Sequence, residues 1–386
     1  MDSRARSLTI LSFILAVVAL GYGIFSPILP FYIENMGASG TALGLLNASY
    51  AVLRLIFGPI WGGISDRYGR KRVLMAGISG FALTMVWFGL ADRLWMLFAA
   101  RVLAGILSSA TAPTTMAYIS DNAPDGELSK GLGRLSAASG IGAILGPLLG
   151  GLVAGDSLSR PFFIAAGLAG VSLILAWLFL PESKMSQAAP GEDKNVINLK
   201  EWGAAISGPA GRYFLMTFIS TSGLYIFSNI FGLYGLERFG FGTQEVGFVY
   251  MALGMVSMAA VGLLAGPASK HLGDTRLVTL GFLVGAVSIG LMPLSRGLAG
   301  IVILTAIMAA AISLEGTALV SMTAIKAETA QGVTMGLSNS FVSMGRIIGP
   351  VVSGALLDVH LDLPFLCAAG LLAAAFFISL NPNKTI

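Results

Sequence analysis

The sequence is poor in what soluble enzymes use. Its 386 residues include one cysteine, Cys367, and two histidines. A single cysteine excludes an internal disulfide, and two histidines leave little from which to build a metal site, so no metal is expected. Charge is scarce too: Asp, Glu, Lys and Arg make up 11% of the chain, whereas soluble globular proteins carry about 25%. No Gly-x-Ser-x-Gly elbow, no His-Glu-x-x-His and no Gly-Lys-Ser/Thr phosphate loop occurs. These absences argue against an enzyme, embedded in a membrane or not, and against ATP-driven work by this chain alone.

What is present is apolar. Hydrophobic residues make up 55% and the mean hydropathy is +0.83. A helix that spans a bilayer needs about 20 mostly apolar residues, and the chain divides into about a dozen such runs. They fall near 8-32, 41-65, 73-92, 94-120, 129-155, 160-181, 211-236, 243-268, 275-294, 298-325, 332-357 and 361-381. The first resembles a signal peptide in having Arg4 and Arg6 before it, but it continues through Pro27 and Pro30 without a small-residue cleavage site. It reads as a retained first helix. The expectation is an all-α membrane protein of twelve transmembrane helices, whose first partner is the lipid bilayer.

The basic residues orient it. Of the 23 Lys and Arg, Arg54, Arg101 and Arg346 fall inside spans and Arg93, Arg160, Arg238 and Arg296 lie at one face, which leaves sixteen at the other. Basic residues collect on the cytoplasmic side, so both termini are expected in the cytoplasm and the net charge of +4 has a topological meaning rather than a nucleic-acid one. The one long polar segment, 182-210, separates six helices (1-181) from six (211-386) and reads as a linker between two bundles.

Across that linker the sequence repeats. Gly62-Gly-Ile-Ser-Asp66-Arg67-Tyr-Gly69-Arg70-Lys71-Arg72 follows the second run, and Gly266-Pro-Ala-Ser-Lys270-His-Leu-Gly273-Asp274-Thr-Arg276 follows the eighth, 204 positions later. Gly146-Pro147 with Gly151 returns as Gly349-Pro350 with Gly354, 203 positions later. Two nearly equal offsets point to parallel six-helix repeats, an arrangement known in transporters that hold substrate near the midplane.

These residues resemble the major facilitator superfamily over essentially the whole chain. Gly62-x-x-x-Asp66-Arg67-x-Gly69-Arg70-Lys71 is similar to the superfamily's signature between helices two and three. Arg101-x-x-x-Gly105 resembles its helix-four motif, whose arginine the resemblance implicates in proton relay. Gly140-x5-Gly146-Pro147-x-x-Gly150-Gly151 resembles the motif of antiporters. With Gly21-x-Gly23-x-x-x-Pro27-x-Leu-Pro30, the pattern is similar to the twelve-helix drug:proton antiporter branch. The resemblance implies two six-helix bundles related by a pseudo-twofold axis in the cell inner (cytoplasmic) membrane.

The physics of each motif adds to this. One carboxylate and four cations (Arg67, Arg70, Lys71 and Arg72) in a short loop can join helix ends by charge pairs that break as the halves rock. Asp66 is placed within reach of a helix N-terminus, where negative charge is stabilised by roughly 0.3–1 kcal/mol. Lys270 stands where Asp66 would be in the second copy, so that latch reads as degenerate. The glycines and Pro147 of helix five permit close helix approach and bending.

Four charges fall where no loop can hold them: Arg54, Arg101, Glu315 and Arg346. Such groups are costly in a membrane and face bundle interiors or water-filled cavities. Arg54 is twelve residues from Asp66, about 18 Å along the helix, and shares its face with Asn47 and Tyr50. Arg346 shares one with Asn339 and Ser343. Glu315 is the unmistakable intramembrane carboxylate. An acid deprived of water can carry a proton near neutral pH, which suits proton–substrate exchange, whereas a static buried ion pair is the plain alternative.

Relatives that export cationic drugs often carry acids in helix one or seven. This chain has Tyr22, Ser26, Thr221, Tyr225, Ser228 and Asn229 there. Aromatic residues on the same helices, Phe25, Phe227 and Phe231 among them, could hold a lipophilic body or simply pack. The expectation is a monomeric, proton-coupled exporter of lipophilic small molecules that needs no cofactor beyond the proton gradient. Three arginines against one glutamate keep an anionic or zwitterionic metabolite, siderophore or lipid precursor as the alternative. A channel fits the repeat and gating loop less well than alternating access does.

Overall fold

The computed structural model describes residues 3–122, 127–155, 157–183, 203, 205–327 and 330–380, with side chains from Arg6 onward. Most of the expected linker, together with Lys184, Lys194, Lys200 and Lys384, lies outside these residues, as does the side chain of Arg4. Among the described residues the chain is helical throughout and contains no strand. In lipid a helix satisfies its backbone groups from within, which an open strand cannot do.

The helices are α1 Arg6–Asn35, α2 Gly40–Tyr68, α3 Arg70–Leu90, α4 Leu94–Asn122, α5 Leu128–Ala154 and α6 Arg160–Phe179. They continue with α7 Gly211–Phe239, α8 Thr243–Leu272, α9 Asp274–Leu294, α10 Gly297–Ile325, α11 Gln331–Val359 and α12 Leu363–Ser379. The first eleven are long and apolar enough to cross a bilayer, and α12 is a shorter apolar helix. Large apolar side chains such as Val171, Ile174, Trp177 and Leu178 line the outside of α6, as lipid-facing positions require.

The repeat seen in the sequence returns in the backbone. Gly69 joins α2 to α3 with φ +97° and ψ +142°, and Gly273 joins α8 to α9 with φ +78° and ψ +148°. Both lie in the region where a side chain is disfavoured, so one glycine turns the chain at each joint.

Two compact units form. The first comprises Met1–Ala42, Leu46–Ala189 and Gly235–Met251, and the second Leu43–Leu45, Pro190–Tyr234 and Ala252–Ile386. In the first, α5 lies on α1 through glycines spaced by four. A methyl group at Gly142 or Gly146 would overlap the carbonyl oxygen of Ala16 or Leu20, and one at Gly150 would sit 2.9 Å from that of Ile24. Three bare positions thus ride over three exposed carbonyls, a backbone approach that only small residues allow. In the second unit α11 repeats this on α7. A methyl at Gly345 would lie 2.8 Å from Cβ of Thr221, and one at Gly349 would lie 3.0 Å from the Ser222 carbonyl oxygen. Where the series would next have glycine, Ser353 stands instead and accepts a hydrogen bond from Asn229 at 3.0 Å.

Among the described residues two spans are interrupted within their length, while α9 only ends in a 3-10 turn. In α4 the helix tightens to a 3-10 turn over Ser108–Ala110. Pro113, four residues on from Ser109, cannot donate to its carbonyl. The Ile106 carbonyl at the same point is taken by Trp61 Nε1 at 2.5 Å and by the Ser109 hydroxyl at 2.9 Å. In α8 a π-turn covers Ala260–Leu264.

Candidate functional site

The first unit gathers its two intramembrane arginines, with Asn47, Tyr22, Tyr50 and Ser108, into one nest built by α1, α2 and α4. Gly105, one turn past Arg101, is the enabling residue: a methyl group there would lie 2.7 Å from Cβ of Leu53 and 3.1 Å from the Tyr50 carbonyl oxygen. With α2 drawn this close, Arg101 Nη2 donates to Asn47 Oδ1 at 2.6 Å. The Arg101 guanidinium lies 3.5 Å from the centroid of the Phe25 ring and 5.2 Å from that of Tyr50, and the residue is 6% exposed with no hydrogen-bond partner for Nε among the described residues. Ring stacking with little solvent suits a guanidinium. The Tyr22 hydroxyl pairs with that of Ser108 at 2.8 Å, and its ring lies 5.4 Å from Tyr50. Arg54, exposed on α2, brings Nη1 to 3.4 Å from the Tyr50 hydroxyl. Ser26 is exposed on α1. Phe25 belongs to an edge-on cluster with Phe88 and Phe162, so it packs the bundle while carrying Arg101.

Glu315 belongs to the second unit and is fully enclosed, with 0% exposure. Gly281 on α9 makes room for it: a methyl there would lie 2.5 Å from Cβ of Glu315 and 3.1 Å from Oε2. Ser220 on α7 is its polar neighbour, yet neither carboxyl oxygen meets the geometry of a hydrogen bond among the described residues. No ion pair involves it there either, so the static-pair alternative finds no partner among them. Arg346 is exposed on α11, with its guanidinium 5.6 Å from the Tyr225 ring centroid.

The other sequence-derived candidates divide. Asn339 is exposed, Ser228 and Ser343 are half-buried, and the Ser343 hydroxyl is turned to the Asn339 carbonyl at 2.8 Å. Asn229 is buried and donates to the Pro350 carbonyl at 3.2 Å as well as to Ser353, so it ties α7 to α11. Phe227 and Phe231 stack at 5.1 Å and are fully buried, as packing residues.

The α2–α3 loop differs from expectation in two respects. The carboxylate at the N-terminus of α3 is Glu182, whose Oε1 accepts from the Lys71 backbone N–H at 2.8 Å against the bare Gly69. Asp66 instead pairs with Arg70 at 2.5 Å, because in the last turn of α2 it lies one helical turn before that residue. Arg70 also reaches Asp121 on α4 at 2.9 Å and Ser65 at 2.6 Å. The end of α6 and the segment after it join in: the Tyr118 hydroxyl donates to the Pro181 carbonyl at 2.8 Å, Asn122 to Ser183 at 2.9 Å, and Lys71 Nζ to the carbonyl of Trp177, in the last turn of α6, at 2.9 Å. Arg67 is exposed, and the Gly62 carbonyl receives the Ser65 hydroxyl at 2.7 Å. The second copy, moreover, is not degenerate. Asp274, at the position equivalent to Arg70, binds the Ser269 hydroxyl and accepts from Ser321 on α10 at 2.7 Å. A carboxylate thus stands at the centre of the second copy's contacts.

Gly146, Pro147, Gly150 and Gly151 form the packed face of α5. Besides the α1 contacts, a methyl at Gly247 would overlap the Pro147 carbonyl, and the Thr243 hydroxyl donates to the Gly151 carbonyl at 3.1 Å; all these residues lie in the first unit. Sequence reasoning overlooked Ser108, Asp121, Glu182, Gly281 and Ser321. The hydroxyl run from Ser108 to Thr115 in an apolar helix was the available signal for the first of these.

Repeated helical halves, glycine-lined helix pairs, charged contacts at helix ends and isolated charges in the spans are the features of a secondary transporter. The Major Facilitator Superfamily model matches residues 11–350, and the chain belongs to that family. It is 29% identical to "Multidrug resistance protein 2" of Bacillus subtilis, over 91% of this chain and 89% of that one. It is 25% identical to the quinolone resistance protein NorA of Staphylococcus aureus, over 97% and 96%. Among solved structures it superposes on a bacterial homologue of the human lysosomal transporter Spinster with a TM-score of 0.85 at 17% identity, covering 100% of this chain and 98% of that one. The nucleoside transporter NupG follows the same fold, with a TM-score of 0.80 at 14% identity over 100% of each chain.

Proposed function

We propose that this transporter is a proton-coupled exporter of lipophilic small molecules, working by alternating access as a monomer in the inner membrane with both termini in the cytoplasm. Relatives named for multidrug and quinolone resistance, matched over nearly their whole length, support export of such compounds. The observation that carries the coupling is Glu315: a carboxyl group enclosed between α7, α9 and α10, with the Ser220 hydroxyl as its polar neighbour and no ion-pair partner among the described residues. An ionised carboxylate so placed would have neither water nor a counter-charge, so this arrangement suits the protonated acid. Release of the proton then requires a second arrangement in which water or a cation reaches the group. Exchange of substrate for proton alternates the two.

The latches serve this cycle. Arg70 with Asp66 and Asp121, and Asp274 with Ser269 and Ser321, hold helix ends by contacts that a rocking motion breaks and remakes. No cofactor takes part. One charge driven through 100 mV supplies about 2.3 kcal/mol, enough for a substrate gradient of roughly forty- to fiftyfold.

The test is proton movement from purified protein in vesicles loaded at a different pH, on adding lipophilic compounds of each charge type. Substrate-dependent, saturable proton flux is expected. Substrate flux that ignores a collapsed pH gradient would overturn the coupling.

A further inference from the structure

The nest in the first unit has a charge that the exporter reading does not use. Arg54 and Arg101 lie within the spans of that unit, whereas its helix-borne acids Glu34, Asp66, Asp121, Glu237 and Glu245 sit at helix ends among the described residues. At mid-depth the nest is therefore cationic. The two arginines are differently placed. Arg101 is buried, fixed by Asn47 and stacked on Phe25. Arg54 is exposed on the same face of α2 as Asn47 and Tyr50, about 18 Å from the Asp66 end, beside the Tyr50 hydroxyl. A guanidinium at that depth avoids hydrocarbon by facing a wet cavity. Around it the Tyr22 and Tyr50 rings, 5.4 Å apart with Tyr22 anchored on Ser108, present a rigid aromatic surface. The second unit independently repeats the pairing of an exposed arginine and a tyrosine in Arg346 and Tyr225.

We propose that Arg54 and the Tyr50 hydroxyl form a subsite for an acidic group of the transported molecule, with the aromatic body lying on Tyr22 and Tyr50. Arg101 is the fixed positive charge behind it. The substrate class is then an amphiphilic carboxylate, sulfonate or phosphate, or a zwitterion that carries one, rather than a lipophilic monocation. A guanidinium offers such groups a planar, two-pronged donor set, whereas a lipophilic cation would meet like charge. The proposal rests on the exporter reading, whose substrate it specifies.

The experiment is equilibrium binding to purified protein in detergent, using a dansyl fluorophore on an alkyl tail that ends in a carboxylate or in a trimethylammonium group. The carboxylate form should bind more tightly to the wild type. Arg54→Gln should weaken it roughly tenfold to a hundredfold, as loss of a charged hydrogen bond does, and leave the ammonium form unchanged or tighter. Arg54→Lys, which keeps the charge and guards against a folding defect, should retain the preference for the carboxylate at reduced affinity. Tighter binding of the ammonium form by the wild type, or unchanged carboxylate binding by Arg54→Gln, overturns the proposal. Because no gradient is applied, this result is independent of proton coupling: failure there leaves the anion preference standing, and failure here leaves proton-driven export standing.

Discussion

Replacing Gly142 by alanine tests whether α1 and α5 are held by backbone contact. In an unobstructed helix, Gly→Ala stabilises by about 0.8–1.0 kcal/mol. Gly167, exposed on α6 with nothing within 4 Å of the added methyl, should show that gain. At Gly142 the methyl would overlap the Ala16 carbonyl and lie 3.0 Å from the Leu20 nitrogen. Both obstacles are backbone atoms, so no side chain can swing aside and α1 itself must retreat. Overpacking of this kind costs about 1–3 kcal/mol, which outweighs the propensity gain at all but the lowest cost. The same substitution should therefore change sign between the two sites: Gly142→Ala melts a few degrees below wild type in detergent, and Gly167→Ala at or above it. Because the α1–α5 pair flanks the nest, Gly142→Ala should also slow transport. Equal melting of the two variants would refute the backbone-contact account, for it would mean that α5 approaches α1 no more closely than α6 approaches lipid.

Asn47→Ala removes the Arg101 partner at 2.6 Å and should destabilise by about 1–3 kcal/mol, the cost of stranding a buried donor, with transport falling in parallel; an unchanged melting temperature contradicts the pairing. Gly281→Ala should displace Glu315 and lower the rate of proton-coupled flux more than it lowers substrate affinity, read as separate effects on maximal velocity and half-saturation. Ser321→Ala removes one of the two hydroxyls on Asp274 and should increase labelling of a cysteine placed near the α8–α9 loop; labelling equal to that of the parent protein argues against a second latch.

The fold was legible because the bilayer imposes length and composition on every span, and the repeat at offsets of 203 and 204 announced two related halves. Gly69 and Gly273, matched in sequence, proved to share one backbone conformation. The site was legible only in part. Charges inside spans point to themselves, so Arg54, Arg101, Glu315 and Arg346 could be picked out from the sequence. Their partners could not: Asn47 meets Arg101 because Gly105 lets α2 approach, and that depends on packing between helices distant in sequence. Glu182 falls in the linker by sequence, because polar composition marks a boundary without showing that its first residues fold back on Gly69. The Asp274 contacts of the second copy are hidden from matching by charge, which looks for an acid at Lys270, whereas the carboxylate sits four residues on.

The most direct test of the central claim is Glu315→Gln, which keeps the shape of the buried side chain and removes its ability to exchange a proton. Two fluxes should be measured in the same vesicles: uphill transport driven by a pH gradient, and exchange of labelled for unlabelled substrate without one. The account predicts that uphill transport is lost while exchange survives. Uphill transport at the wild-type rate in the variant would contradict it.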